Sequence, residues 1–328
     1  MDVEAVCRLL CEAHEFDELP VRHNEEKLNA ALAQHVAWSV DELRMDDPHI
    51  KALLLLQARF EDLPLPIADY ANDTKSVLDQ APRVLNALID LAADMGLLDT
   101  ALSAMHLSQM LVQGHRFETS TLLQLPHADD RVVARLRSVG VECLPELMFA
   151  KADAVARALS TCLSDAKAGA LLRCAAGIPQ ITVRWRLDAA GDGEARGDEE
   201  AKRGGGADHG KGDGLVEAAT PPAAAELPPV AAGAECSLKV ELVVANRASQ
   251  QVTAPRYARK KSYGWWLVLG DAAGELHALK RVNVTRRTQV SLSFIAPDYG
   301  TAQMRLYLMC DCIRGIDQQY DVCFRISE

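Results

Sequence analysis

A chain of 328 residues, 49% of them hydrophobic, holds enough apolar material for two or three domain cores. Its formal charge of −11 excludes a polyanion-binding surface spread over the whole molecule, so any contact with nucleic acid must be local. Nine cysteines at irregular spacing argue against a disulfide scaffold, and apolar runs such as Leu53 to Leu56 are too short to cross a bilayer.

Residues 1–115 read as five helices with short links, a small bundle. Its first fifteen residues are charged and lack a signal-peptide apolar stretch. Asn24 can cap a helix carrying Leu28, Leu32 and Val36. Asp47-Pro48 pairs an N-cap carboxylate with proline at the first helical position, predicting a helix to about Asp62. Thr74 opens the longest helix, with Val77, Leu78, Ala81, Leu85, Leu88, Ile89 and Ala92 on one stripe and Gly96 closing it. Asp99 caps a further helix that ends at Gly114.

Residues 116–177 predict shorter helices. The segment Val132 to Val141 reads as helix, glycine turn and apolar re-entry, followed by a helix from Leu144 to Phe149. That is the form of a helix-hairpin-helix unit, in which the turn at Gly140 leaves backbone amides facing outward. From Ile178 the hydrophobic period becomes two. Strands are expected at Ile181–Leu187, Leu238–Val244, Trp265–Leu269, Leu276–Val282, Val290–Ile295, Met304–Met309 and Tyr320–Ile326. Seven short strands without a Cys–Trp–Cys pattern suggest an immunoglobulin-like β-sandwich of the fibronectin type III kind over 178–328. Residues 188–234, rich in Gly, Ala, Asp, Glu and Pro, are expected to be a disordered insert. The fold class is therefore multidomain, α then β.

Charge follows these segments: net −12 over 1–115, +3 over 116–187, −6 over 188–234 and +4 over 235–328. Two basic clusters stand out. Arg131, Arg135 and Arg137 flank the Gly140 turn and are candidates for phosphate contact, with a solvated helix face as the alternative. Arg256, Arg259, Lys260 and Lys261 precede Gly264 and suit a protein-binding loop better than RNA contact. Trp265-Trp266 places one indole on each sheet face. One is core; the other is covered by a neighbouring domain or exposed for a partner.

Catalytic motifs are missing. Gly205 to Lys211 has the glycine and lysine spacing of a phosphate-binding loop, but Gly212 stands where the Mg²⁺-ligating hydroxyl belongs, and neither strand nor helix flanks it. Cys7/Cys11 and Cys310/Cys312 lack a second pair at zinc spacing. No cofactor, metal or catalytic residue is expected.

Several segments carry a resemblance in combination: Phe16 to Glu25, Asp47-Pro48-His49 with Leu53–Gln57, Asp73-Thr74-Lys75 through Arg83 to Gly96, Leu125-Pro126-His127, Gly264-Trp265-Trp266, Leu279 to Val282, Ala296-Pro297 and Gly315 to Asp321. Together they resemble the Sec-sixty-three-type C-terminal module of Ski-two-like helicases, over nearly all of the chain except 188–234. Their wording is nearer to that in the helicase subunit of the activating signal cointegrator complex than to that in the spliceosomal RNA-unwinding helicase. The resemblance implies helical bundle, helix-hairpin-helix and fibronectin-type sandwich in that order, in a soluble nuclear or cytoplasmic protein. It implies helicase motor domains as partners, on the same parent chain or a separate one, together with protein partners of a helicase complex. It also implies weak contact with single-stranded RNA or DNA, and no membrane. The long helix Thr74–Asp94 would act as a ratchet, with Lys75 and Arg83 facing the strand. Pro82 inside that helix and Leu97, where the family has tryptophan, depart from the pattern. A stand-alone interaction scaffold that binds no nucleic acid is the other reading.

Overall fold

The computed structural model describes residues 1–189, 216–217, 229–297 and 301–327. The first five helices are α1 (Val3–Cys11), α2 (Glu25–Ala33), α3 (Pro48–Glu61), α4 (Asp69–Asp94) and α5 (Leu98–Gln113). Helix α3 starts as its sequence dictates: Asp47 accepts from the His49 N–H at 2.8 Å and Pro48 occupies the first turn. Ile50 to Ala58 are all buried, so the four-leucine run is apolar all round because α3 is the central rod of the bundle.

Two expectations near the N-terminus need correction. Asn24 does not cap α2 with its side chain; it sits in the left-handed region at φ 66°. The Glu25 carboxylate instead reaches back to the Arg22 N–H at 3.0 Å. Helix α4 begins at Asp69 rather than Thr74, whose hydroxyl donates to the Tyr70 carbonyl within the helix. Buried Tyr70 anchors this extra turn by donating to Asn29 at 2.6 Å. Pro82 does not end α4, which runs for 26 residues, about 39 Å.

Helices α6 (Asp130–Arg137), α7 (Leu144–Phe149), α8 (Ala152–Leu159) and α9 (Asp165–Gly177) follow. Their buried faces, including Val132, Leu136, Leu144, Leu159 and Leu171, join one apolar cluster with the strands.

The strands are β1 (Ile181–Ala189), β2 (Val216–Glu217), β3 (Pro229–Ala231), β4 (Glu235–Val244), β5 (Trp265–Asp271), β6 (Leu276–Val282), β7 (Arg287–Ile295), β8 (Thr301–Cys310) and β9 (Gln318–Ser327). They form two sheets, β1-β4-β7 and β2-β9-β8-β5-β6, with β3 also on β9. Each of the seven strands expected from the sequence is present. The short β2 and β3, parallel to β9, lie inside the segment read as a disordered insert, as do the end of β1 and the start of the turn into β4. The rest of that segment, with Lys211 and the phosphate-loop-like spacing, lies outside the described residues.

Alternation explains the packing. Cys236, Leu238, Val240 and Leu242 of β4 share a buried cluster with Trp265, Leu267, Leu269, Leu306 and Leu308 of the facing sheet. The opposite face of β5 and β8 carries Trp266, Val268, Tyr307 and Met309, which belong to the helical core of α1–α5. The central strands are therefore buried on both faces and read as continuous apolar runs. Gly270 permits this contact: a Cβ there would lie 2.5 Å from Leu98 Cδ2 of α5.

Candidate nucleic-acid and partner-contact surfaces

Helix α6 presents Arg131 and Arg135, one turn apart, to solvent, with no ion pair to either among the described residues. Arg137 is different: its Nε lies 3.3 Å from Glu142 Oε2. The turn that follows has a Schellman pattern. Val141 N–H donates to the Leu136 carbonyl, Gly140 N–H donates to the Arg137 carbonyl, and Gly140 takes φ +80°. Glu142 N–H donates to Glu146 at 2.6 Å. The expected outward-facing amides are thus spent, those of Gly140 and Val141 on capping α6 and that of Glu142 on Glu146 of α7, and what the turn offers a phosphate is arginine side chains.

On α4, Lys75 and Arg83 are both exposed. Arg83 pairs with Glu15 at 3.0 Å, while Lys75 has no ion pair among the described residues. Asp79 and Asp90 on the same helix are occupied by Arg259 and Arg281 from the strand region.

Three of the four cations in the basic run before Gly264 are engaged within the chain. Arg256 donates to the Gly114 carbonyl at 2.9 Å and lies 2.5 Å from Asp62. Arg259 lies 2.6 Å from Asp79, and Lys261 pairs with Asp311. Only Lys260 of the four is exposed without an ion pair among the described residues. Two of the four side chains assigned to protein docking, Arg256 and Arg259, therefore tie the strand region to the helices, and Lys261 ties the loop before β5 to the loop after β8. The indoles follow the same logic. Trp265 is 2% and Trp266 3% exposed, one in the sandwich core and the other covered by the bundle, so both indoles are buried within the described residues.

Two groups of buried polar residues escaped the reading of the sequence. In the first, Lys51 Nζ bonds Glu25 at 2.6 Å, Asp73 at 2.7 Å and the Pro20 carbonyl at 2.6 Å, with the side chain wholly buried. Arg22 adds bonds to Asp73 at 2.7 Å and Glu25 at 2.9 Å. Burial alone would raise both acids, but Lys51 and Arg22 hold their carboxyls below the usual range. Four balanced charges thus tie the chain before α2 to α3 and α4, which gives a physical reason for the Phe16–Glu25 and Asp73–Lys75 segments.

The second group is the loop between β8 and β9, residues 311–317. Gln109 of α5 donates to Asp317 and to the Cys310 carbonyl, and Gln113 donates to the Cys312 carbonyl at 2.6 Å. Arg314, 1% exposed, donates to the Arg116 and Thr119 carbonyls of the chain leaving α5. Burial pushes the Arg314 guanidinium down to about 10 and the Asp317 carboxyl up to about 7. The signal in the sequence was the three charged residues Asp311, Arg314 and Asp317 set among Cys312, Ile313 and Ile316 between two apolar strands.

Comparison with known proteins places this geometry. The family model of the Sec63 Brl domain matches residues 1–323. The chain belongs to the Sec63 Brl domain family. A DExH-box ATP-dependent RNA helicase, DExH14, of Arabidopsis thaliana is 33% identical over 98% of this chain and 13% of its own length. Human activating signal cointegrator 1 complex subunit 3 is 33% identical over 99% of the chain and 15% of its own length. The human U5 small nuclear ribonucleoprotein 200 kDa helicase is 29% identical over 99% of the chain and 13% of its own length. The chain thus spans about one seventh of these relatives. Among the described residues no helix is long and apolar enough to cross a membrane.

Proposed function

We propose that this chain is a non-catalytic accessory module of an ATP-dependent RNA or DNA helicase, guiding single-stranded nucleic acid and docking protein partners. Its three parts would be a helical bundle (1–115), a helix-hairpin-helix unit (116–177) and a fibronectin type III-like sandwich (178–328). The observation that carries the nucleic-acid half is the pair Arg131 and Arg135, exposed on one face of α6 and without an ion pair among the described residues, in a chain whose relatives are named as helicases. Such a pair suits phosphate contact without base readout. Lys75 on α4 is the next candidate. The whole chain should bind labelled single-stranded RNA or DNA weakly and without sequence preference, with affinity falling steeply as salt rises. Fluorescence anisotropy of U20 and dT20 at low salt tests it. Binding equal in the parent and in a variant with Arg131, Arg135 and Arg137 all changed to Ala would remove the assignment to α6.

The second reading, a protein scaffold without nucleic-acid contact, draws support from the net −12 of residues 1–115, which repels a polyanion. No binding of either strand at any salt would favour it.

A further inference from the structure

Strand β1 forms the edge of the three-stranded sheet, paired only with β4 among the described residues. Its hydrogen-bonding phase is fixed by its first contacts. The Gln180 carbonyl accepts from Ala245 N–H at 2.8 Å, so Gln180 faces β4. The Ile181 carbonyl faces the other way and accepts from the Gln318 side chain at 3.0 Å. Alternation then turns the N–H and C=O groups of Val183, Trp185 and Leu187 to the open edge.

The outer face beside that edge is open and basic. Arg184, Arg186, Lys239 and Arg287 stand on it, against three acids among the described residues, Asp188, Glu241 and, at the far end of β4, Glu235. Asp188 is engaged by Arg186 at 2.9 Å and by Lys239 at 2.6 Å, and Glu241 by Arg287. Arg184 has no ion pair among the described residues, and the described face carries one positive charge in excess, next to the β1 edge. A trough of about 590 Å³ crosses the three strands along Trp185, Val240 and Val290, walled by Arg184, Glu241 and Gln289 on one side and by Arg186, Lys239 and Ser291 on the other. Trp185, at the edge, is 37% exposed.

We infer that the β1 edge accepts an extended acidic segment of a partner protein as a fourth strand. Its backbone would pair with Val183, Trp185 and Leu187, and its alternate carboxylates would stand beside Arg184 and Arg186. An added strand satisfies donors and acceptors in alternation, as this edge presents them. A nucleic-acid backbone supplies chiefly acceptors and leaves the Val183, Trp185 and Leu187 carbonyls unmet. Opposite charges directly across two strands reinforce the pairing, and like charges oppose it. The inference deepens the protein-docking half of the proposed function and rests on it; the arginines of α6 lie on another surface and are tested separately.

The experiment uses the full chain and a fluorescein-labelled ten-residue peptide of alternating Glu and Thr. Anisotropy should report binding that weakens with salt. The same peptide with Lys in place of Glu should not bind. Arg184→Glu with Arg186→Glu should weaken binding at least tenfold while the circular dichroism spectrum and melting temperature stay those of the parent. Methylating every backbone nitrogen of the Glu-Thr peptide leaves its charge intact and should also abolish binding, a result that needs no protein variant. Equal binding of the methylated peptide would overturn strand addition, and equal binding by the charge-reversed chain would overturn the site. If U20 binds and loses affinity on the same reversal while the peptide does not bind, the face serves nucleic acid and the inference fails.

Discussion

Gln124 and Arg314 exchange a reciprocal pair of hydrogen bonds across 190 positions of sequence: Arg314 N–H donates to Gln124 Oε1 at 2.8 Å, and Gln124 Nε2 donates to the Arg314 carbonyl at 3.0 Å. The pair docks the β8–β9 loop on the 3₁₀ turn Thr121–Gln124, while the Arg314 side chain grips the Arg116 and Thr119 carbonyls. Through Gln109 and Gln113 the same loop grips α5. One seven-residue connection thus meets the helices before residue 115, the link after it and the strands.

Gly315 makes this docking possible, and changing it should show how much the loop matters. It adopts φ +84°, and a Cβ there would stand 2.8 Å from Thr121 Cγ2. Gly315→Ala should cost about 2–4 kcal/mol, the sum of a left-handed alanine and an overpacked contact. Thr121→Ser removes Cγ2 but keeps the hydroxyl that accepts from Leu144 N–H at 2.9 Å. Denaturant unfolding of both single variants and the double variant should show partial rescue in the double. Strict additivity would show that the clash is relieved elsewhere.

Lys51 stands between two buried acids, so removing it strands them. Lys51→Met keeps the stem volume but leaves Glu25 and Asp73 with Arg22 alone, and Arg22 is partly exposed. The expected loss is about 3–5 kcal/mol. Because the folded-state carboxyls are held low, the network's contribution in the parent is present above the ordinary carboxylate pKa and disappears as pH falls through the lowered values. In Lys51→Met the penalty should therefore shrink at acid pH. Equal penalties at neutral and acid pH would show that packing, and not charge, sets the cost.

Asp317 has the opposite sign. Its carboxyl is raised from 3.8 to about 7 by burial, with the Gln109 side chain and Cys310 N–H opposing the rise. The folded chain then holds a proton that the unfolded chain releases above about pH 4. This group costs stability progressively from about pH 4 to about 7, on the order of 4 kcal/mol in all. Asp317→Asn, which keeps an acceptor for Cys310 N–H, should match the parent near pH 4 and exceed it by pH 7.5. A difference in unfolding free energy that does not change with pH would assign the residue a purely geometric role.

Much of this architecture was legible in the chain itself. The Asp47-Pro48 start of α3 and the alternation of β4 are local signals, and both appear where period and capping place them. What local pattern could not give is which cations face inward. Arg256 and Arg131 look alike in sequence, but one bonds Gly114 and Asp62 and the other faces solvent. That difference arises only when β5 lies against α1–α5. The same holds for Trp266, whose burial depends on the bundle covering the second face of the sheet.

This contrast gives the final prediction. Arg256→Glu and Arg131→Glu change the net charge of the chain by the same amount, so a general electrostatic effect on nucleic acid would be equal in both. Their local roles differ. Arg256→Glu removes the bond to the Gly114 carbonyl and sets a carboxylate beside Asp62, so it should lower the melting temperature by several degrees. It should leave the salt dependence of U20 binding almost unchanged. Arg131→Glu, on the exposed face of α6, should leave the melting temperature within a degree or two and reduce the slope of log affinity against log salt by about 0.7, one phosphate contact on a single strand. Anisotropy titrations at several salt concentrations, with thermal unfolding of the same samples, measure both. If Arg256→Glu lowers the salt slope and Arg131→Glu does not, the strand runs along the junction of helices and strands, and α6 is a solvated face.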